Sequence, residues 1–150
     1  MEVLSQRDER WSGQRIGASP INLGRYGCTV TCISMLSSFY GKIVLPSELA
    51  RKKELFTKDG LIIWSQLGFL ESFQYVKRVY GYSHEEIKAS LSDPDGAVIL
   101  QLQGYHWVVA LPGKATKGKY RIADPWLGDK TDTSRYKDLI TGSAHFIRKK

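Results

Sequence analysis

Residues 23–36 read Leu23-Gly24-Arg25-Tyr26-Gly27-Cys28-Thr29-Val30-Thr31-Cys32-Ile33-Ser34-Met35-Leu36. A glycine-rich loop runs straight into an apolar-periodic segment, and a thiol stands at the junction. The spacing predicts a helix over 28–40, stopped by Gly41. Cys28, Cys32, Met35 and Phe39 would share its buried face. Cys28 then falls in the first turn, where unpaired backbone N–H groups and the helix dipole favour thiolate over thiol.

Two later segments supply partners for such a sulfur. Gly104-Tyr105-His106-Trp107-Val108-Val109-Ala110 opens a strand with a histidine, and Tyr120-Arg121-Ile122-Ala123-Asp124-Pro125-Trp126 closes one with an acid. The order Cys, His, Asp is a nucleophile, its base and the group that orients the base. If Pro112–Lys119 closes a hairpin symmetric about residue 115, Ala110 faces Tyr120, Val108 faces Ile122 and His106 faces Asp124. Directly opposed side chains have Cβ atoms roughly 5 Å apart, within reach of a carboxylate–imidazole hydrogen bond. A slip of one residue would put them on opposite faces. Pro125 cannot continue the ladder, so Asp124 falls at a strand end.

The chain has 150 residues, 42% of them hydrophobic, enough for one globular domain over 1–150 with a proper core. No apolar stretch is long enough to span a membrane, and the polar segment Met1–Trp11 has no signal-peptide core, so synthesis in the cytoplasm is expected. Cys28 and Cys32 are poorly placed to bridge each other, and no Cys/His spacing matches a metal site. No cofactor is expected, and a monomer is. Lys and Arg outnumber Asp and Glu by 22 to 15, a net charge of +7, which implies affinity for anionic surfaces. The basic residues are scattered (Arg51-Lys52-Lys53, Lys77-Arg78, Lys114 to Lys119, Arg148-Lys149-Lys150) without a nucleic-acid recognition motif.

Along the chain, a short strand around Val3–Leu4 and a run of turns precede the first helix. A second helix is expected at Pro46–Ala50, a third at Ile62–Glu71, and a strand at Phe73–Tyr80. Ser83 and Glu86 form a capping box opening a helix to Leu91, and Asp93-Pro94-Asp95-Gly96 is a turn. Strands follow at Ala97–Leu102, His106–Leu111 and Tyr120–Asp124, with His145–Ile147 as a final edge. The expected class is α+β, the first helix packed on an antiparallel sheet.

Four segments together resemble the papain-fold cysteine peptidases related to bacteriocin leader-processing peptidases. They are Ser5-Gln6-Arg7-Asp8-x-x-Trp11, Tyr26-Gly27-Cys28-Thr29-Val30-Thr31, Gly104-x-His106-Trp107-Val108-Val109 and Ala123-Asp124-Pro125-Trp126, spanning residues 3 to about 128. The resemblance implies a papain-like fold, Cys28 as nucleophile, His106 as general base and Asp124 as its orienter. It also implies that the Gln6 side-chain amide joins the Cys28 backbone N–H in an oxyanion hole, where each donor can be worth about 3 kcal/mol. Cys32 departs from the pattern, standing where a small residue such as Ser or Ala is expected. The membrane-spanning region of the transporter-fused members has no counterpart in these residues.

Each residue also has a plainer reading. Cys28 could be a buried small hydrophobe, His106 a satisfied strand histidine, Asp124 a turn former and Gln6 an exposed polar residue in an entry strand. Cys32 is read as core, His84 as an exposed first-turn residue, and His145 as a rival base with no acid following it. Trp107 and Trp126 could line a cleft or the core. The expected function is a cysteine endopeptidase acting through an acyl-enzyme, on peptides or on peptidoglycan peptides at an anionic wall, as a phage-type lysin released from the cell would. An inactive peptide- or leader-binding module, a leader-processing peptidase and an acyl transferase are the alternatives.

Overall fold

A computed structural model describes residues 1–113 and 115–150; Lys114, one of the basic residues of the 114–119 stretch, lies outside the described residues. Helix α1 (Leu23–Tyr26) leads through Gly27 into α2 (Cys28–Phe39), and α3 (Pro46–Ala50) follows. Strand β1 (Phe73–Tyr80) and helix α4 (His84–Ser92) come next. The remaining strands are β2 (Gly96–Leu102), β3 (His106–Ala110), β4 (Arg121–Asp124), β5 (Asp129–Asp132) and β6 (Ile140–Arg148). The six strands form one antiparallel sheet in the order β1-β6-β2-β3-β4-β5.

Helix α2 packs on β3 and is buried on nearly every side. Such a helix tolerates Thr31, Ser34 and Ser37 because each hydroxyl has a carbonyl acceptor, respectively of Gly27, Val44 and Ser34. Beneath it lies the larger core, which takes Trp107, Val109, Ala123, Ala144 and Phe146 from one sheet face. A second core on the other face gathers Val98, Leu100, Val108, Ala110 and Ile122 around Ile87 of α4. The sheet is therefore covered on both sides, which explains the unbroken apolar run Ala97–Leu100.

Several expectations are corrected. Residues 1–5 form no strand, although Leu4 is buried. The third helix is a 3₁₀ turn, Trp64–Phe69. The capping box is half formed: Ser83 accepts from the Glu86 N–H, but the Glu86 carboxylate pairs with Lys77 instead of reaching back. The final strand is no edge. It runs from Ile140 to Arg148 between β1 and β2, its interior relying on small residues, Gly142, Ser143 and Ala144. The actual far edge is β5, whose charged sequence Asp-Lys-Thr-Asp discourages further pairing.

The hairpin register also differs. Ala110 opposes Ile122 and Val109 opposes Ala123, a shift of two residues from the symmetric pairing. Two is the side-chain period of a strand, so His106 and Asp124 stay on one face as diagonal neighbours.

Candidate active site

Gly27 sets the geometry of the thiol. Its N–H donates to the Leu23 carbonyl at 2.8 Å, and its own carbonyl accepts from the Thr31 N–H at 2.9 Å. A Cβ here would lie 2.5 Å from the Leu23 oxygen, so only glycine lets α1 end where α2 begins. Cys28 is thereby fixed in the first turn of α2, 9% exposed, its thiol directed at the Tyr105 carbonyl 3.9 Å away. Cys32 lies one turn deeper with no exposure. Burial pushes its thiol well above the usual range, and the nearby charges of Cys28 and Asp124 add to this.

The histidine and the acid meet. His106 Nε2 lies 2.8 Å from Asp124 Oδ1, both side chains buried. Asp124 also accepts from the Trp126 N–H at 3.0 Å, from Arg135 Nη1 at 3.0 Å and from the Tyr136 hydroxyl. Burial alone would raise the carboxyl, but the hydrogen bonds from His106, Tyr136 and Trp126 outweigh it and hold the group at about 2. For His106, burial favours the neutral ring. The bonds and charges of Asp124 and Cys28 outweigh that too, raising the imidazole to about 9. The other ring nitrogen is not used by Asp124, and Cys28 lines the same cleft as His106.

Gln6 is not the exposed strand residue of its plainer reading. It is 1% exposed and sits in a turn, not in a strand. The Trp11 indole donates to the Ser5 carbonyl at 2.9 Å, and the Gln6 N–H donates to the Pro125 carbonyl at 2.8 Å, tying the turn to the Asp124 corner. Gly128, at φ +70°, allows that close approach, since a Cβ there would come within 2.9 Å of Ser5 Cβ. Gln6 Nε2 donates to the Gly24 carbonyl at 3.3 Å, which identifies the nitrogen end of the amide and leaves one N–H unspent. Among the described residues its Oε1, which is buried, has no hydrogen-bond partner.

Two clefts, of about 470 and 430 Å³, converge on Cys28. The first holds Gln6, His106, Trp126 and Tyr136, and the second runs past Trp64, Arg78 and Trp107. Both tryptophans thus line clefts, Trp107 also being core. Sequence reasoning missed Arg135 and Tyr136, whose 3₁₀ turn (Thr133–Tyr136) has no periodicity to notice. It also took His84 as exposed, whereas its Nδ1 meets the Tyr120 hydroxyl at 2.5 Å and it is half-buried. His145 is buried between the Ser90 and Ser143 hydroxyls, each 2.7 Å from a ring nitrogen. Among the described residues no His/Cys/Asp/Glu cluster could hold a metal, and no helix is long and apolar enough to cross a membrane.

A cysteine heading a helix that packs on an antiparallel sheet, with a buried His–Asp pair beside it, is the layout of a papain-like cysteine peptidase. The model of the peptidase C39 family matches residues 23–142, and the chain belongs to that family of cysteine peptidases, which includes bacteriocin leader-processing peptidases. The matched span contains Cys28, His106 and Asp124 but begins after Gln6. No curated protein matches the chain.

Proposed function

We propose that residues 1–150 act as one endopeptidase unit in which Cys28 attacks the scissile carbonyl, His106 moves the proton and Asp124 holds His106. The observation that carries this reading is the buried His106–Asp124 pair, bonded at 2.8 Å beside the thiol that heads α2. Neither a core histidine nor a turn-forming aspartate requires such a pair.

His106 takes the proton of the Cys28 thiol as the sulfur adds to the carbonyl carbon, and the new oxyanion is held by the Cys28 N–H and the unspent N–H of Gln6. As the C–N bond breaks, the His106 imidazolium gives its proton to the leaving amine, leaving a thioester on Cys28. Water then attacks the thioester and passes its proton to His106. The S–C bond breaks, releasing the acid product, and His106 returns its proton to the sulfur. Asp124 stays ionised throughout, saturated by donors from His106, Trp126, Arg135 and Tyr136.

Among peptide substrates, the reading favours those of peptidoglycan, supported by the net charge of +7, which suits approach to an anionic wall. The test is to alkylate the folded protein with iodoacetamide, map the adduct by mass spectrometry, and follow amine release from purified walls and from soluble peptides. Adduct at Cys28 with loss of turnover, and protection of Cys32, is the expected result. Equal labelling of both cysteines would overturn the assignment, and release from soluble peptides but not from walls would overturn the substrate.

A further inference from the structure

One charged side chain on the α2 face of the sheet is used by nothing so far described. Strand β1 carries a bulge: Tyr75 pairs with Phe146 and Lys77 with His145, so Val76 is extra. An unbroken strand would send Tyr75 and Lys77 to one face and Arg78 to the other. The extra residue reverses the alternation, so Arg78, opposite Ala144, joins Tyr75 on the face that meets α2.

Arg78 is received there by a row of four positions running across β1, β6, β2 and β3. Tyr80 pairs with Gly142, Gly142 with Gln101, and Gln101 with Trp107. Gly142 has no side chain, and a Cβ on it would fall 2.5 Å from Arg78 Nη1, so the guanidinium occupies the space the glycine leaves. Its carbon lies 4.2 Å from the Tyr80 ring centre and 4.8 Å from that of Trp107. Nη2 donates to Gln101 Oε1 at 3.3 Å. That amide is itself oriented, donating through Nε2 to the Gly104 carbonyl at 3.1 Å and accepting from the Thr141 hydroxyl at 3.1 Å.

The guanidinium is thus held rigidly, yet it lacks a counter-ion. Among the described residues no carboxylate lies within salt-bridge distance of it, and its protein acceptors are one amide oxygen and the Val79 carbonyl. Two of five N–H groups are accounted for. A half-buried, planar, pre-oriented fork with donors to spare is the arrangement that binds a carboxylate well. Partial burial lowers the affinity of Arg78 for its proton, as expected of a cation without an anion nearby.

Arg78 lines the cleft of about 430 Å³ that ends at Cys28 and contains neither His106 nor Gln6. Because His106 must protonate the leaving amine, the leaving half of the substrate belongs in the other cleft, with His106 and Trp126. The cleft of Arg78 is left for the acyl half.

We propose that Arg78 selects substrates carrying a carboxylate on the acyl side of the scissile bond, within a few residues of it. The proposal rests on Cys28 being the nucleophile. The carboxylate can be an acidic side chain of a linear peptide or a free carboxylate of a cross-linked wall peptide, and the chemistry at Arg78 is the same.

The experiment uses irreversible peptidyl chloromethyl ketones, which report on the acyl-side cleft through alkylation of Cys28 and need no known substrate. Acetyl tetrapeptide probes carry Glu or Gln at each of the four positions in turn, glycine elsewhere, and a parallel pair carries γ-linked D-Glu or its amide. With the intact protein, one position is expected to show Glu reacting roughly tenfold faster than Gln, the scale of one charge-assisted hydrogen bond. Arg78→Gln is expected to bring that ratio to near one while leaving alkylation of Cys28 by iodoacetamide unchanged. Arg78→Lys should keep part of it, retaining charge without the fork. Preference confined to the γ-linked pair assigns the wall source, and preference in the α-linked series assigns a linear peptide. A carboxylate/amide ratio near one in both the α-linked and the γ-linked probes of the intact protein overturns the proposal, as does a preference that survives Arg78→Gln. If iodoacetamide fails to modify Cys28 at all, the nucleophile assignment falls, and the selectivity proposal with it.

Discussion

His106 and His145 are both buried on this sheet, and both are held by polar neighbours. Their surroundings drive them in opposite directions. His106 has a carboxylate on one nitrogen and the Cys28 thiol in the same cleft, and its proton is held to about 9. His145 has a serine hydroxyl on each nitrogen. Burial, with some help from the Lys77 charge, brings it down to about 4 against the weaker pull of Glu86. Burial penalises the charged ring at both sites, so the difference lies in the partner. A hydroxyl serves the neutral ring as well as the charged one, whereas a carboxylate favours the cation.

The hardest test of this contrast is turnover. Under the proposed mechanism Cys28→Ala should abolish activity and leave the fold intact. His106→Ala should cost at least roughly 10²–10⁴-fold in kcat, the usual contribution of a positioned acid–base group. His145→Gln should leave kcat essentially unchanged, because an amide can still bond both serines and no reacting group touches the ring. A kcat that collapses on His145→Gln but survives His106→Ala would reverse the assignment of base.

Asp124 is next in size. It is a fully buried carboxylate receiving four donors. Asp124→Ala should lose about 3–5 kcal/mol of stability, the usual cost of stripping one partner from a buried charged network. Asp124→Asn should lose less, though it directs an NH₂ at donors, and Arg135 cannot turn into an acceptor as the Tyr136 hydroxyl can. Residual activity should fall in the order Asp124→Asn, Asp124→Ala, His106→Ala, since an amide orients an imidazole without stabilising its cation. Chemical denaturation and steady-state rates on the three variants check both orders.

The two histidines also shape stability against pH. In the folded chain His106 keeps its proton to about 9, against 6.5 ordinarily, so its contribution is whole below 6.5 and is lost as pH rises towards 9. His145 is depressed to about 4, so its contribution is whole above 6.5 and is lost as pH falls towards 4. Asp124, held at about 2 against 3.8, contributes above 3.8 and loses that contribution as pH falls towards 2. Stability should peak near pH 6.5, with limbs of about 3 kcal/mol on either side from one proton each. His145→Gln should flatten the acid limb between 6.5 and 4 and leave the alkaline one. Thermal melts from pH 3 to 10 decide this, and an acid limb unchanged in the variant would refute the account of His145.

What the sequence discloses follows the same division between local and distant partners. Cys28, His106 and Asp124 are legible because each stands at the end of an element whose periodicity is plain, and because two strands linked by a short loop must lie side by side. The register is off by two, yet the face survives because two is the period. Gln6 reads as exposed because its polarity says so, while its burial is produced by Trp11 and by the Pro125 carbonyl. The interior place of β6 is hidden by its own composition, since Gly142 and Ser143 look like loop residues until the neighbouring strands enclose them. Arg135 and Tyr136 reach Asp124 only because β5 carries the chain back past β4, a return that no local pattern announces.

Tyr136 supplies the smallest and most discriminating effect. Its hydroxyl donates to Asp124 Oδ2, and its ring lies 4.9 Å from that of His106, tilted by 37°. Tyr136→Phe keeps the ring and removes the donor. A purely packing role would then leave the His106 titration in place, with only a loss of about 1 kcal/mol in stability from the missing hydrogen bond. If the hydroxyl instead draws off part of the carboxylate charge, its removal leaves Asp124 more basic and a better acceptor for the imidazolium. The His106 midpoint, followed by NMR, should therefore move upward from about 9, while kcat drops a few-fold as the proton becomes harder to release to the leaving amine. A midpoint that falls would mean that the hydroxyl reinforces the pair instead of competing with His106 for the carboxylate. It would also place Tyr136 among the residues that separate His106 from His145.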